Sequence, residues 1–278
     1  MNKSIEKQIN DIYNKIYKQV FTKTNTDMLA NGSRMNIEQS LNTIASSDKY
    51  NEFAQKFALE LAKKGLASKR GIWRKYYEAA RKSHNIALPA TYKDFEFNVL
   101  TKAVRHNFNM IKTIPARMLE ILNHKYVSTL IEEVAKGTKT RGSFARTLAS
   151  HGQKQAKLIA RTETAKLQTA ITKQRAIDVG AITYTWLSSH DKRTRPSHQA
   201  MNGVIVFWRP DAEKPLLDNM RGDAGEFPNC RCDAQPNVDI DDFTNARYKV
   251  YNYHTDKVEW MSKIDLINAI QKGELPTT

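Results

Sequence analysis

Through the first 180 residues the apolar side chains recur every three or four positions, and then that pattern stops. Ile5, Ile9, Ile12, Ile16 and Val20 are spaced four, three, four and four apart, which places them in one stripe of a helix over residues 4–21. Asn31-Gly32-Ser33 interrupts the pattern, and it resumes over 35–45, 50–64 and 69–83. Over 116–136, Leu119, Leu122, Tyr126 and Leu130 form one row with Val127, Ile131 and Val134 beside it, and Gly137 supplies a stop. A short helix over 143–150 and a long one over 153–179, parted by Gly152 and closed by Gly180, complete this half.

Beyond Gly180 the texture changes. Residues 182–187 and 204–208 have strand composition, and five of the eight prolines lie between Pro196 and Pro236. Long irregular stretches of this kind are functional or are tied down by something. Residues 247–253 and 257–261 read as a hairpin around His254-Thr255-Asp256, followed by a helix over 262–272. The expected fold class is α+β, mostly α: a helical N-terminal region, then a loop-rich domain of helix and short strands that a metal could staple. The expected divisions are a basic helical region over 1–112, a motif-bearing domain over 113–238 and a C-terminal hairpin and helix over 239–278.

Charge follows the same division. Residues 1–180 hold 32 Lys and Arg against 15 Asp and Glu, whereas 181–278 hold 12 against 14. An excess of this size favours polyanionic partners through counterion release, double-stranded DNA above all, without specifying sequence or groove. It also describes a solvated basic surface. In the third helical stretch Lys69, Arg70, Arg74, Lys75, Arg81 and Lys82 interleave with Trp73, Tyr76 and Tyr77, a mixture that would grip backbone and stack on bases. The alternative, an amphipathic helix whose aromatics are core, is the favoured one. No window reaches the roughly 18 consecutive apolar residues of a membrane-spanning helix. The start, Met1-Asn2-Lys3-Ser4, leads into a polar amphipathic stretch rather than a signal-peptide core, so the expected compartment is a cytosol.

The two cysteines stand one residue apart in Phe227-Pro228-Asn229-Cys230-Arg231-Cys232, downstream of the polar run from His190 to His198. Zinc takes four ligands from Cys, His and carboxylate and holds irregular loops together. Cys230, Cys232 and His198 would supply three, with His190 or Asp191 as the fourth. Against this, knuckles usually place two to four residues between cysteines. A strained small-ring disulfide and reduced thiols packed in a turn are the alternatives. A catalytic use also exists on paper: Cys230 with His198 as a thiolate–imidazole pair oriented by Asp191, or His190, Asp191 and His198 holding a divalent ion for phosphodiester cleavage. Neither has a local signature such as a Gly-flanked nucleophile, and a structural role for these residues is favoured.

Arg161 and Glu163 lie two apart on the long helix, so they project to different faces and need different partners. Asp191 is the natural counterion for Arg161, and Arg193 or Arg195 for Glu163, in a network that would fix the 191–198 loop onto the helix.

Ala160-Arg161-Thr162-Glu163-Thr164 on a helix, a strand ending near Trp186, Asp191-Lys192-Arg193-Thr194-Arg195-Pro196-Ser197-His198, Asn202-Gly203, and Phe227 to Cys232 followed by Pro236 together resemble the phage Mu F-like minor head proteins, the family of SPP1-type phage head morphogenesis proteins. The resemblance covers about residues 115–236. It implies a minor capsid protein of a tailed double-stranded DNA phage or prophage, associated with the portal inside the procapsid and near packaged DNA. Head assembly and DNA delivery are the implied roles, and scaffold or major capsid protein are further implied partners. The implied location is the capsid interior of the virion, reached from the host cytoplasm during assembly. On this pattern Arg161, Thr162, Glu163, Asp191, Arg193, Thr194, Arg195, His198, Gly203, Cys230, Arg231 and Cys232 fill characteristic positions. None is assigned a catalytic role, so the expectation is a protein that is not an enzyme. A metal-dependent enzyme acting on nucleic acid through His190, Asp191 and His198 is the alternative.

Overall fold

The computed structural model describes residues 3–67, 70–82, 87–123, 125–208 and 213–273, with the side chains of 121–126 excepted. In chain order the helices are α1 (Lys3–Val20), α2 (Lys23–Ala30), α3 (Met35–Ser46), α4 (Asp48–Ala67), α5 (Arg70–Lys82), α6 (Tyr92–Lys112), α7 (Ile114–Asn123), α8 (Lys125–Ala135), α9 (Arg141–Asp178), α10 (Pro196–Ala200) and α11 (Lys263–Lys272). The strands are β1 (Thr183–Leu187), β2 (Ile205–Phe207), β3 (Leu216–Leu217), β4 (Met220–Arg221), β5 (Asp233–Pro236), β6 (Arg247–Asn252) and β7 (Lys257–Ser262). The mostly helical α+β class expected from the sequence is what the structure has. The chain forms two compact units, each drawn from separated stretches: 2–64 with 104–161, and 65–103 with 162–278.

The first unit is helical. The Ile5–Val20 stripe of α1 is buried along its whole length, as the spacing requires of a helix with one apolar face. Thr22 caps α2 by accepting the Asn25 N–H, and Gly32, at φ +85°, turns the chain out of it. Two buried polar side chains are held by main-chain carbonyls: the Tyr50 hydroxyl donates to the Ile111 carbonyl at 2.6 Å, and the Asn107 amide donates to the Ala58 carbonyl at 3.1 Å. The expected helix over 116–136 is described as α7 and α8 on either side of His124. His124 lies outside the described residues, as do the side chains of Leu122 and Tyr126 from its apolar row.

The expected break at Gly152 does not occur, and α9 is a single helix of 38 residues. Phe144, Leu148, Ala156 and Ala160, all buried, keep one helical stripe across that position. The glycine is there for space. A Cβ at residue 152 would lie 2.7 Å from Cε2 of Tyr17, so only glycine lets the ring pack against the helix.

In the second unit Trp73 and Tyr77 of α5 are buried. Arg175 of α9 is buried with them, its guanidinium 5.5 Å from the centre of the Trp73 ring. Its Nη2 donates to the Leu66 carbonyl at 2.7 Å and to Glu96 at 2.9 Å. Trp73 and Tyr77 therefore serve the core, as the favoured alternative held, and Tyr76 is half-buried. Lys69 and Ser83, at the ends of the expected helix, lie outside the described residues.

The main sheet has the order β5-β1-β2-β6-β7, with β1 antiparallel to β2 and β5, β2 parallel to β6, and β6 antiparallel to β7. Thr183–Leu187 and Ile205–Phe207 fall where strand composition placed them, and β6 and β7 form the expected hairpin. Ser262 caps α11 by accepting the Asp265 N–H, and Gly273, at φ +69°, closes it. The short strands β3, β4 and β5 were not expected: two or four residues carry too little pattern to register as strands.

Two glycines give opposite predictions. Gly152→Leu drives a side chain into Tyr17 and should cost about 1–3 kcal/mol, read as a lower denaturant midpoint. A Cβ added at Gly71, inside α5, would have nothing within 4 Å, so Gly71→Ala should raise stability by about 0.5–1 kcal/mol.

Candidate metal centre

Two loops of the second unit build the site. The first leaves β1 at Leu187. Asn202 Oδ1 accepts the Ser188 N–H at 3.0 Å, and Gly203, at φ +78°, donates its N–H to the Trp186 carbonyl at 2.9 Å. Within the loop Asp191 accepts the Arg193 N–H at 2.9 Å, and its carbonyl accepts the Thr194 N–H at 2.9 Å. Arg195 ends the turn and Pro196 starts α10, where its fixed φ suits the first helical position. One turn on, His198 is 2% exposed.

The second loop is Phe227 to Cys232. The Phe227 carbonyl accepts the Cys230 N–H at 3.0 Å, and Asn229 takes a left-handed φ of +56°. From Cys230 onward exposure alternates: Cys230, Cys232 and Ala234 are buried, while Asp233 and Gln235 are exposed and Arg231 is half-buried. Extended backbone sends every second side chain to the same face, so both thiols point inward. The spacing of one, unusual for a knuckle, is the natural spacing for a chain entering a strand, and β5 begins at Asp233.

His198 Nδ1 lies 3.4 Å from the Cys230 sulfur and 3.5 Å from the Cys232 sulfur. Zinc–sulfur bonds of about 2.3 Å and zinc–nitrogen bonds of about 2.0–2.1 Å, at a tetrahedral angle, separate S from N by about 3.6 Å. The ligand atoms of all three residues fall within 4.8 Å of one another. The cluster can therefore hold a metal ion such as zinc. Both cysteines are free thiols. Cys230 is pulled down to about 4, first by the hydrogen bond from Cys232 and then by His198. Cys232 is pushed up by the same shared proton and by burial. The two thiols thus share a proton, which a metal would displace.

Supporting contacts fix the imidazole. Its Nε2, on the side of the ring turned away from the two sulfurs, faces Asp218 at 3.6 Å and Arg195 at 3.4 Å. The ring packs edge-on between Phe227, 4.8 Å away, and Trp186, 5.8 Å away. Asp218 also accepts the Ser197 hydroxyl at 2.7 Å.

The expected motif residues converge only in part. His190 is exposed, with a left-handed φ of +50°, and is not in the cluster. Asp191 binds Arg231 through both oxygens, one of them at 2.7 Å, and is not in the cluster either. Arg161 does not pair with Asp191: its Nε donates to Glu6 at 2.8 Å. Glu163 is buried and pairs with Lys166 at 3.4 Å. The tie to the helix comes instead from Thr162, whose hydroxyl accepts the Asn229 N–H at 2.9 Å. Arg195 donates to the Pro228 carbonyl at 2.9 Å, and Arg193 is exposed. The 191–198 loop is thus fixed to the cysteine loop through Arg231 and Arg195, because these arginines stand directly across from Asp191 and Pro228.

A second polar cluster gave no sequence signal. Asp223 is buried, accepts the Tyr184 hydroxyl at 3.1 Å and pairs with Lys173 at 3.4 Å. Burial pushes its carboxyl up, against the pull of Lys173. Lys214 reaches Glu226 at 2.6 Å and, outweighing burial, holds Glu226 below its ordinary range. The bonded pairs among these residues lie up to 50 positions apart with no fixed spacing, so only the fold could reveal them.

Residues 125–235 match the family described as Phage Mu protein F like protein, a span that includes all three cluster residues. A stretch of 138 residues is 29% identical to an uncharacterized protein of Haemophilus influenzae, covering 48% of this chain and 28% of that protein. The chain thus spans less than a third of the length of this relative. No solved structure matches. Among the described residues no helix is long and apolar enough to cross a membrane.

Metal analysis should find one zinc per chain. His198→Ala or Cys230→Ser should abolish it, and His190→Ala should leave it intact. Chelation should lower thermal stability, by about 2.7 kcal/mol where free zinc stood at a hundredfold its Kd. A further expectation concerns pH. The Arg231 guanidinium holds Asp191 below its ordinary value of 3.8. The tie is then complete above that value and is lost as pH falls through the lowered folded pKa. Amide exchange over 189–195 should accelerate below about pH 4, and Asp191→Asn should show the fast exchange at neutral pH.

Proposed function

We propose that the chain is a minor capsid protein of head morphogenesis in a tailed double-stranded DNA phage or prophage. It associates with the portal inside the procapsid and lies near packaged DNA, with a role in head assembly or DNA delivery. The observation that carries this is the match of residues 125–235 to the Mu F-like family, a span that also holds the buried cluster of His198, Cys230 and Cys232. On this reading residues 1–112 face portal or DNA, 113–238 form the Mu F-like domain and 239–278 add the C-terminal hairpin and helix. Scaffold or major capsid protein are further partners. The protein belongs to the capsid interior and passes through the host cytoplasm during assembly.

His198, Cys230 and Cys232 act as a zinc staple for two loops that lack an extensive core of their own, and the protein is not an enzyme. The nuclease-like alternative requires His190, Asp191 and His198 around one ion. His190 stands exposed and Asp191 is spent on Arg231, which disfavours it. The positive balance of residues 1–180 supports sequence-independent contact with DNA.

Co-expression with the portal protein of the same phage should yield a complex that survives size-exclusion chromatography, and a portal ring that elutes alone would refute the assignment. Affinity for duplex DNA should fall linearly with salt on logarithmic axes. Residues 1–112 should carry most of that slope.

A further inference from the structure

We infer that the metal centre leaves its fourth coordination position open to a phosphate-type oxyanion. The inference rests on the metal reading of His198, Cys230 and Cys232. A pocket of about 50 Å3 is lined by those three residues together with Ser189, Arg193, Thr194, Arg195, Asn229 and Arg231. Every ligating residue borders it, so it lies where the incomplete coordination shell faces. None of the other lining residues carries a carboxylate, imidazole or thiol. The Ser189 and Thr194 hydroxyls are bonded to each other at 2.9 Å. The fourth ligand therefore comes from outside this group.

Charge selects what that ligand is. Two thiolates cancel a dication. Around them Arg193, Arg195 and Arg231 line the pocket, against the carboxylates of Asp191 and Asp218, which pair with Arg231 and Arg195. One positive charge is left over, carried by groups that match the geometry of phosphate oxygens. The volume exceeds the roughly 10–15 Å3 that one water requires and admits a small oxyanion. A second cation is disfavoured, and an apolar group finds no apolar wall. The oxyanion has two sources, free inorganic phosphate and the phosphate of a DNA backbone.

Cobalt(II) in place of zinc makes the fourth position visible, since its visible absorption reports coordination and its thiolate charge-transfer band reports the two cysteines. The full-length protein is loaded with cobalt, freed of excess metal and titrated with inorganic phosphate, and separately with short duplex DNA, at constant ionic strength. The expected result is a saturable change in the cobalt bands at constant charge-transfer intensity. Arg193→Ala, which alters an exposed residue outside the ligand set, should weaken the apparent phosphate affinity about tenfold and leave cobalt stoichiometry unchanged. A change with phosphate alone identifies the free ion as the ligand, and the same change with DNA identifies the backbone. Cobalt bound through two thiolates with bands indifferent to both additions overturns the open position and leaves the staple standing. Failure to bind cobalt overturns both.

Discussion

A buried imidazole has two ring nitrogens that must each meet a partner, and the second half of the chain is arranged around meeting that demand for His198. One nitrogen faces the two sulfurs and the other faces Asp218 and Arg195. Those partners come from three places in the chain, so satisfying one side chain draws together the turn after β1, the β3–β4 hairpin and the approach to β5. Trp186 and Phe227 close over the ring and keep water from substituting for the protein groups.

Three polar contacts outside the cluster serve the placement of the same two loops. Arg231 clamps Asp191, Arg195 holds the Pro228 carbonyl and Thr162 receives the Asn229 N–H. Glycine contributes at one crowded point: at Gly225, φ is +90° and a Cβ would come within 2.6 Å of the Thr169 hydroxyl. The same hydroxyl donates to the Ala224 carbonyl at 2.6 Å. Helix α9 thus meets this segment through small side chains and hydroxyls, which permit close backbone approach where long side chains would not.

The sequence was informative wherever a short-range period carried the signal. The α1 stripe, the β6–β7 hairpin and the last helix are local features, and each stands where the spacing puts it. The long α9 was not legible as one helix because a glycine looks the same whether it breaks a helix or makes room for Tyr17. At the site, His198, Cys230 and Cys232 were legible because so few residue types can ligate a metal. His190 was not separable from them: its exposure follows from a left-handed turn that no residue type in the run demands. The ion pairs were misassigned for a similar reason. Charge complementarity names many partners for an arginine, and only the backbone decides between Glu6 and Asp191 for Arg161, or between Arg161 and Arg231 for Asp191. The Asp223 cluster lay beyond any spacing rule.

The alternation from Cys230 into β5 has a consequence for the sheet. β5 is an edge strand of four residues, paired among the described residues with β1 alone, and strands so short and so placed are poorly protected against slipping along their neighbour. A slip of one residue would exchange the two faces, turning both sulfurs outward and swinging Arg231 and Asp233 toward His198. A thiophilic ion tolerates one of these arrangements and rejects the other. The cysteine pair therefore acts as an alignment key: it recognises the correct pairing of the edge strand chemically, where four residues of hydrogen bonding would distinguish it only weakly.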